Sequence, residues 1–270
     1  MFTLLGREPA ALLRAITRAP ALLGESARCA RIFDDPAGVA RAYFFREAYP
    51  GSSIALRGGG RVHLANPVED VITLMVVLVR DDYGPVERGS VVLDIGANIG
   101  AFAVKALRDG AASVYCLEPN PPTLDALRRT IADVDRAGAV KVDARAVWHT
   151  DGETLYMQTA SSPASHVSAS SAGTATVPVT TVSLATVFAA LPSRIDLVKM
   201  DCEGAEYPVV LRSDPALWTR VGEVRMEYHD GRVDELAAHL ARGGLELVSR
   251  VKAVVDGKET GTLHFRRRPG

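Results

Sequence analysis

Cysteine is scarce in this 270-residue chain: Cys29, Cys116 and Cys202 are odd in number, far apart and never in a CxxC spacing. That argues against a disulfide framework and a zinc site, and it fits a reducing compartment. Long hydrophobic runs are also missing. The longest, VITLMVVLV from Val71 to Val79, is too short to span a bilayer. Near the N-terminus Glu8, Arg14 and Arg18 interrupt the apolar residues, so no signal-peptide core is expected. Neither sign of charge is in excess. Lys plus Arg number 31 against 32 for Asp plus Glu, a net charge of −1. A nucleic-acid or membrane partner would usually show as a basic surplus. The three consecutive arginines Arg266 to Arg268 read as a solvated terminus. A cytoplasmic protein with a small-molecule substrate is the expectation, its oligomeric state left open between monomer and homodimer.

What is present divides the chain in two. Residues 1–88 read as an N-terminal extension, a substrate lid or an oligomer contact. Prolines 9, 20 and 36 separate short helices there, and IALRGGGRVHLANP reads as a β-hairpin around Gly58 to Gly60. A helix is expected over Pro67 to Arg80. Residues 89–270 alternate strand and helix signals. Candidate strands are VVLDI (91–95), SVYCLE (113–118), VKVDARAV (140–147), DLVKM (196–200) and EVRMEY (223–228), with helices between them and a closing hairpin around Asp256-Gly257. Such alternation predicts an α/β fold, a doubly wound, mostly parallel sheet with both faces covered. A Ser/Ala/Thr-rich loop is expected over 159–176.

Asp94 stands near the tip of the first of these strands, followed by Gly96, Asn98 and Gly100 in DIGANIG. Ligands of open parallel sheets sit beyond the carboxyl ends of the strands. Glycines there permit positive φ and a close backbone approach. A second acid, Glu118, ends the next strand 24 residues on, suited to accept both hydroxyls of a ribose. A carboxylate beside a pyrophosphate would repel it, and the third glycine of a dinucleotide fingerprint is missing. Beside an ammonium group a carboxylate attracts. S-adenosylmethionine has a ribose and an ammonium group and no phosphate, so it is the expected cofactor, with a nicotinamide-dependent oxidoreductase as the disfavoured alternative.

DIGANIG, the following EPN and the later KMDCEGAE together resemble the FkbM-type family of class I S-adenosylmethionine-dependent methyltransferases over residues 83–230. The resemblance implies a Rossmann-like, seven-stranded sheet with its last strand antiparallel. It also implies methyl transfer, usually to an oxygen of a sugar or natural product, and cofactor contacts from Asp94, Gly96, Asn98, Gly100 and Glu118. Cys202 departs from the aliphatic residue more usual in that motif. Ala146 and Asp201 complete the expected cofactor contacts, and Trp148 could pack near the adenine.

For the chemistry, Asp201 and Glu203 should emerge at one strand tip, with Glu206 in the first turn of the next helix, where an acid suits the dipole. Glu227 and His229 share a face at the next tip. His229 is the expected general base, with Asp201 the alternative and Glu203 facing donor or acceptor. Asp201, Glu203, Glu227 and His229 together could also hold Mg²⁺, a hard ion that prefers oxygen ligands, although no metal is expected. His166 could reach over the site as a lid residue. NPP at Asn120 to Pro122 reads as a helix start. O-methylation of a hydroxylated metabolite is the leading expectation, and N-methylation of a small amine the other.

Overall fold

The computed structural model describes residues 24–158, 167–168, 176–229, 231–255 and 257–268. Helix α1 (Pro36–Phe45) starts where the Asp35 carboxylate accepts the Gly38 N–H and Pro36 needs no donor partner. The expected hairpin pairs β1 (Ser53–Ala55) antiparallel with β2 (Arg61–His63). The segment read as one helix over 67–80 is composite. It comprises α2 (Glu69–Leu74) and a π-helical turn, Met75–Arg80, closed by Asp81 in the left-handed region (φ 61).

Next come β3 (Val91–Ile95), α3 (Ala101–Asp109), β4 (Ser113–Leu117), α4 (Pro121–Val134) and β5 (Val140–Asp143). The expected strand 140–147 breaks after Asp143. The Asp143 carboxylate accepts the Arg145 N–H at 2.9 Å and its guanidinium at 2.6–3.1 Å, an Asx-type turn that bends the chain. Beyond the bend, β6 (Ala146–Trp148) joins a separate small sheet with β7 (Thr154–Gln158), β8 (Val167–Ser168) and β9 (Thr176–Ser183). The Ser-rich loop lies largely outside the described residues. The chain continues through α5 (Leu184–Ala189), β10 (Ile195–Met200), α6 (Glu206–Leu211), β11 (Val221–Tyr228), α7 (Val233–Arg242), β12 (Leu245–Val255) and β13 (Lys258–Arg267).

The main sheet has seven strands in the order β12-β13-β11-β10-β3-β4-β5. Its central strands are parallel, and β13, the last in sequence, runs antiparallel to both neighbours. This is the Rossmann-like, doubly wound arrangement expected. Side chains alternate between faces with period two. Val92 joins an apolar cluster with Phe102 and Leu127, whereas Leu93 joins one with Val198, Trp218 and Phe265. Phe33, Ile54, Val62 and Val71 belong to the first cluster, so residues 24–88 share a core with β3, α3 and α4. Asp94 and Lys199 follow Val92 and Leu197 by two residues, which puts both on that same face.

Candidate active site

The carboxyl ends of β3, β4, β10 and β11 open into a cavity of about 590 Å³, a usual size for a small-molecule cleft. Residues of α2 and the π-turn, among them Asp70, Thr73 and Val76, line its far side.

The turn after β3 builds one wall. Gly96 has φ 73, and a Cβ there would lie 1.8 Å from the Asp201 carbonyl oxygen. Glycine is therefore required by the neighbouring strand end as well as by φ. Asn98 also has positive φ, 50°, and its side chain accepts the Ile99 N–H at 2.7 Å. Its backbone N–H donates to Glu118 Oε2 at 2.8 Å, and the Asn120 N–H donates to Oε1 at 2.9 Å. Gly100 does a different job. It lies outside the cavity lining, and a Cβ there would meet Leu127 at 2.8 Å, so it lets α3 pack against α4.

Glu118 is 6% exposed and lines the cavity, each oxygen oriented by one backbone donor. Burial pushes its pKa up to about 7 against those two hydrogen bonds. A vicinal diol offers two more donors, and each carboxylate oxygen can accept a further bond, so this residue fits a ribose. On the ribose role expected from the sequence, Glu118→Ala should weaken S-adenosylmethionine binding by about 1.5–3 kcal/mol, the worth of a charged hydrogen bond. Affinity of the wild type should fall as pH drops through about 7, because the protonated carboxyl loses acceptor capacity. Calorimetry across that range checks both.

Asp94 lies beneath the cavity. It is fully buried and not part of the lining. Lys199 Nζ stands 3.2 Å from Asp94 Oδ1, 4.0 Å from Asp201 Oδ2 and donates to the Gly96 carbonyl at 2.7 Å. Burial works against the lysine's charge, and Asp94, Asp201 and Glu118 outweigh it, so its pKa is raised. Lys199 thus faces the cavity in the place expected for Asp94.

Three acids gather at the ends of β10 and β11. Asp201, Glu203 and Glu227 all line the cavity, and the Tyr83 hydroxyl donates to Asp201 Oδ2 at 3.0 Å. Tyr83 is itself fixed edge-on against Phe102. Burial, then the Asp201 charge and a side-chain hydrogen bond to Asp201, push the Glu227 pKa up to about 8. Burial and Asp201 push Glu203 up to about 7. Glu203 sits at φ 53, a left-handed conformation unusual for a non-glycine residue.

His229 is placed otherwise than the sequence suggests. It does not line the cavity. Its Nδ1 lies 3.5 Å from Glu206 and its Nε2 3.6 Å from Glu203. Contact with Glu206 first, and the charges of Glu206, Glu203 and Glu227, raise its pKa to about 9 despite burial. Those contacts favour the protonated imidazole, which is held between Glu203 and Glu206. Glu206 is fully buried and its Oε1 accepts the Cys202 N–H at 3.1 Å, which holds the turn after β10.

Ala146 lines the cavity, whereas Trp148 lies outside it, against His149. His166 is outside the described residues. Among the described residues, no group of three or more His, Cys, Asp and Glu is disposed to hold a metal ion. Lys199, Tyr83 and Asp70 were not singled out in the sequence, although Lys199 opens KMDCEGAE and Asp70 lies in ANPVED, an Asn followed by acids at a helix start.

The Methyltransferase FkbM domain profile matches residues 94–246, more than half of the chain. A 73-residue stretch is 37% identical to the AMB antimetabolite synthetase AmbE of Pseudomonas aeruginosa. That match covers 24% of this chain and spans only 3% of the synthetase's length. Among solved structures, similarity extends to the ribosomal protein L11 methylase of Lactobacillus delbrueckii subsp. bulgaricus, at 15% identity and a TM-score of 0.44, over 75% of this chain and 83% of that one. It extends also to magnesium protoporphyrin IX methyltransferase of Synechocystis PCC 6803 with bound SAM, at 12% identity and a TM-score of 0.40, over 74% and 79%. With its motifs, sheet order and domain match in agreement, the chain belongs to the FkbM family of class I methyltransferases, enzymes that use S-adenosylmethionine.

Proposed function

We propose that this methyltransferase acts on a hydroxyl oxygen of a small metabolite, a sugar or natural product, with Glu227 as the general base. The observation that carries this reading is the Glu227 carboxyl, lining the cavity beside Asp201 with its pKa pushed up to about 8. A base is most effective when its pKa lies near the working pH. When bound, S-adenosylmethionine supplies an electrophilic methyl group. The acceptor hydroxyl loses its proton to Glu227 as its oxygen attacks. Asp201, fixed by Tyr83, orients Glu227 and keeps its proton affinity high. Glu118 holds the ribose, with Gly96, Asn98, Ala146 and Asp201 around the same ligand and Gly100 and Asp94 supporting from behind. His229 positions Glu203 instead of taking the proton itself.

The cavity's size suits a small acceptor better than a polymer, and the near-zero net charge gives no footprint for nucleic acid. The similarity to an antimetabolite synthetase supports a natural-product acceptor. Residues 24–88 serve as the acceptor-side wall, since Asp70, Thr73 and Val76 come from them. Three free cysteines suit a cytoplasmic setting, and no helix among the described residues is long and apolar enough to cross a membrane. The test is turnover with an isotope-labelled methyl donor over hydroxylated and amine-bearing acceptors. The carbon shift of the product methyl distinguishes a methoxy from an N-methyl group. Exclusive N-methyl products would overturn the assignment to oxygen.

A further inference from the structure

Asp70 is a buried carboxylate that the chemistry above leaves unused. It belongs to the first turn of α2, is 4% exposed and lines the cavity. Its Oδ2 accepts the Ala65 and Asn66 N–H groups, at 2.7 Å each. Asn66 Oδ1 in turn accepts from Val68 and Glu69 at 3.1 and 3.3 Å, so the two side chains close the helix start reciprocally. Helix capping accounts for Oδ2. No hydrogen bond or ion pair among the described residues engages Oδ1. Nor does any cationic side chain among them pair with Asp70; the neighbouring charge is Glu69, of the same sign. Burial raises its pKa to about 6. A buried carboxylate without a counter-cation is costly, and a bound cation relieves that cost.

Glu69, which also lines the cavity, is only partly buried, and the other acids there already have work. Glu118 is oriented by Asn98 and Asn120, Asp201 by Tyr83, Glu203 by His229 and Glu227 by Asp201. Asp94, the residue expected to meet an ammonium group, is below the cavity and paired with Lys199. We propose that Asp70 binds a protonated amine in the cavity through Oδ1, from the amino-acid end of the cofactor or from an amine on the acceptor. The proposal rests on the reading of this cavity as the methyl-transfer site.

Asp70→Asn tests it, because the amide oxygen can still accept both backbone N–H groups while the charge is gone. Calorimetry with S-adenosylhomocysteine and with methylthioadenosine, which lacks the amino-acid end, reads the cofactor arm. Titrating cofactor-loaded protein with glucosamine and with glucose reads the acceptor arm. Loss of affinity for S-adenosylhomocysteine by about tenfold to a hundredfold, with methylthioadenosine unchanged, supports the cofactor amine. Unchanged cofactor affinity with a similar loss for glucosamine alone supports the acceptor amine. No change in either arm overturns the proposal and leaves Asp70 a helix cap. In the wild type the amine-bearing probe of at least one pair must bind more tightly than its partner. Equal affinity within both pairs overturns the proposal even if the variant does not fold. Wild-type protein that binds neither S-adenosylhomocysteine nor methylthioadenosine instead refutes the methyl-transfer reading itself.

Discussion

Glu227→Gln is expected to lower the rate of methyl transfer by about 10²–10⁴-fold, the usual contribution of a positioned general base. The amide keeps the shape and can still bond to Asp201, but it cannot take the acceptor's proton. In the wild type the rate should rise with pH as the carboxyl ionises and level off above about 8. That limb belongs to the interacting Glu203 and Glu227 carboxyls together, so its apparent pKa values describe the pair and not either residue alone. It should vanish in Glu227→Gln. Cofactor affinity should hardly change, because Glu118 is on a different strand end. His229→Ala provides the contrast. Its imidazole is already charged at neutral pH and lies outside the cavity, so its loss should leave most of the rate. Removing that cation should, however, raise the Glu203 pKa further. A severe His229→Ala defect together with a mild Glu227→Gln defect, in single-turnover rates, would reverse the two roles.

Lys199→Met carries the largest expected effect on stability, about 3–5 kcal/mol, because it removes one partner of a buried ion pair. Asp94 would remain fully buried with no counter-charge. The double variant Lys199→Met with Asp94→Asn should recover much of the loss, since a neutral amide tolerates that site far better than a bare carboxylate. The pH dependence has a definite sign. Burial raises Asp94 in the fold, and without Lys199 it would rise further above its unfolded value. A carboxyl so raised destabilises when ionised, so the penalty is full above its folded pKa and fades as pH falls through it. Urea unfolding of the single variant should accordingly approach the wild type at acid pH. Equal losses for single and double variants at neutral pH would show that Lys199 acts through packing alone.

Much of the framework was readable along the chain because its signals are local. β3 announces itself by an aliphatic run, β4 by the strand-prone SVYCL, the turn by Gly96 and Gly100, and Glu118 by its place after β4. The antiparallel hairpin of β12 and β13 was visible around Asp256-Gly257. What eluded sequence reasoning depends on partners brought from elsewhere. Strand parity puts Asp94 on one face of β3 but does not say how deep, and its lysine comes from β10, 105 residues on. His229 reads as a near-neutral base in isolation, and only the approach of Glu203 and Glu206 from another strand end turns it into a cation. The break at Asp143 was legible in principle, as an Asp two residues before an Arg that it bonds. Tyr83 gave no signal, because its role depends on the distant Asp201 and Phe102.

The π-turn at Met75–Arg80 has a hereditary side. A helix that gains one residue while both ends stay anchored absorbs it as a wider turn, and such turns gather at functional sites. Here the anchors are Val71 and Leu74 before the turn and the left-handed Asp81 after it, while Val76 and Val77 face the cavity. A single codon deleted or inserted between those anchors would rotate different side chains toward the cavity without touching the main sheet. Change of acceptor in descendants of this enzyme is thereby open to small length variation, at a place where point substitutions alone would have to rebuild a wall one residue at a time.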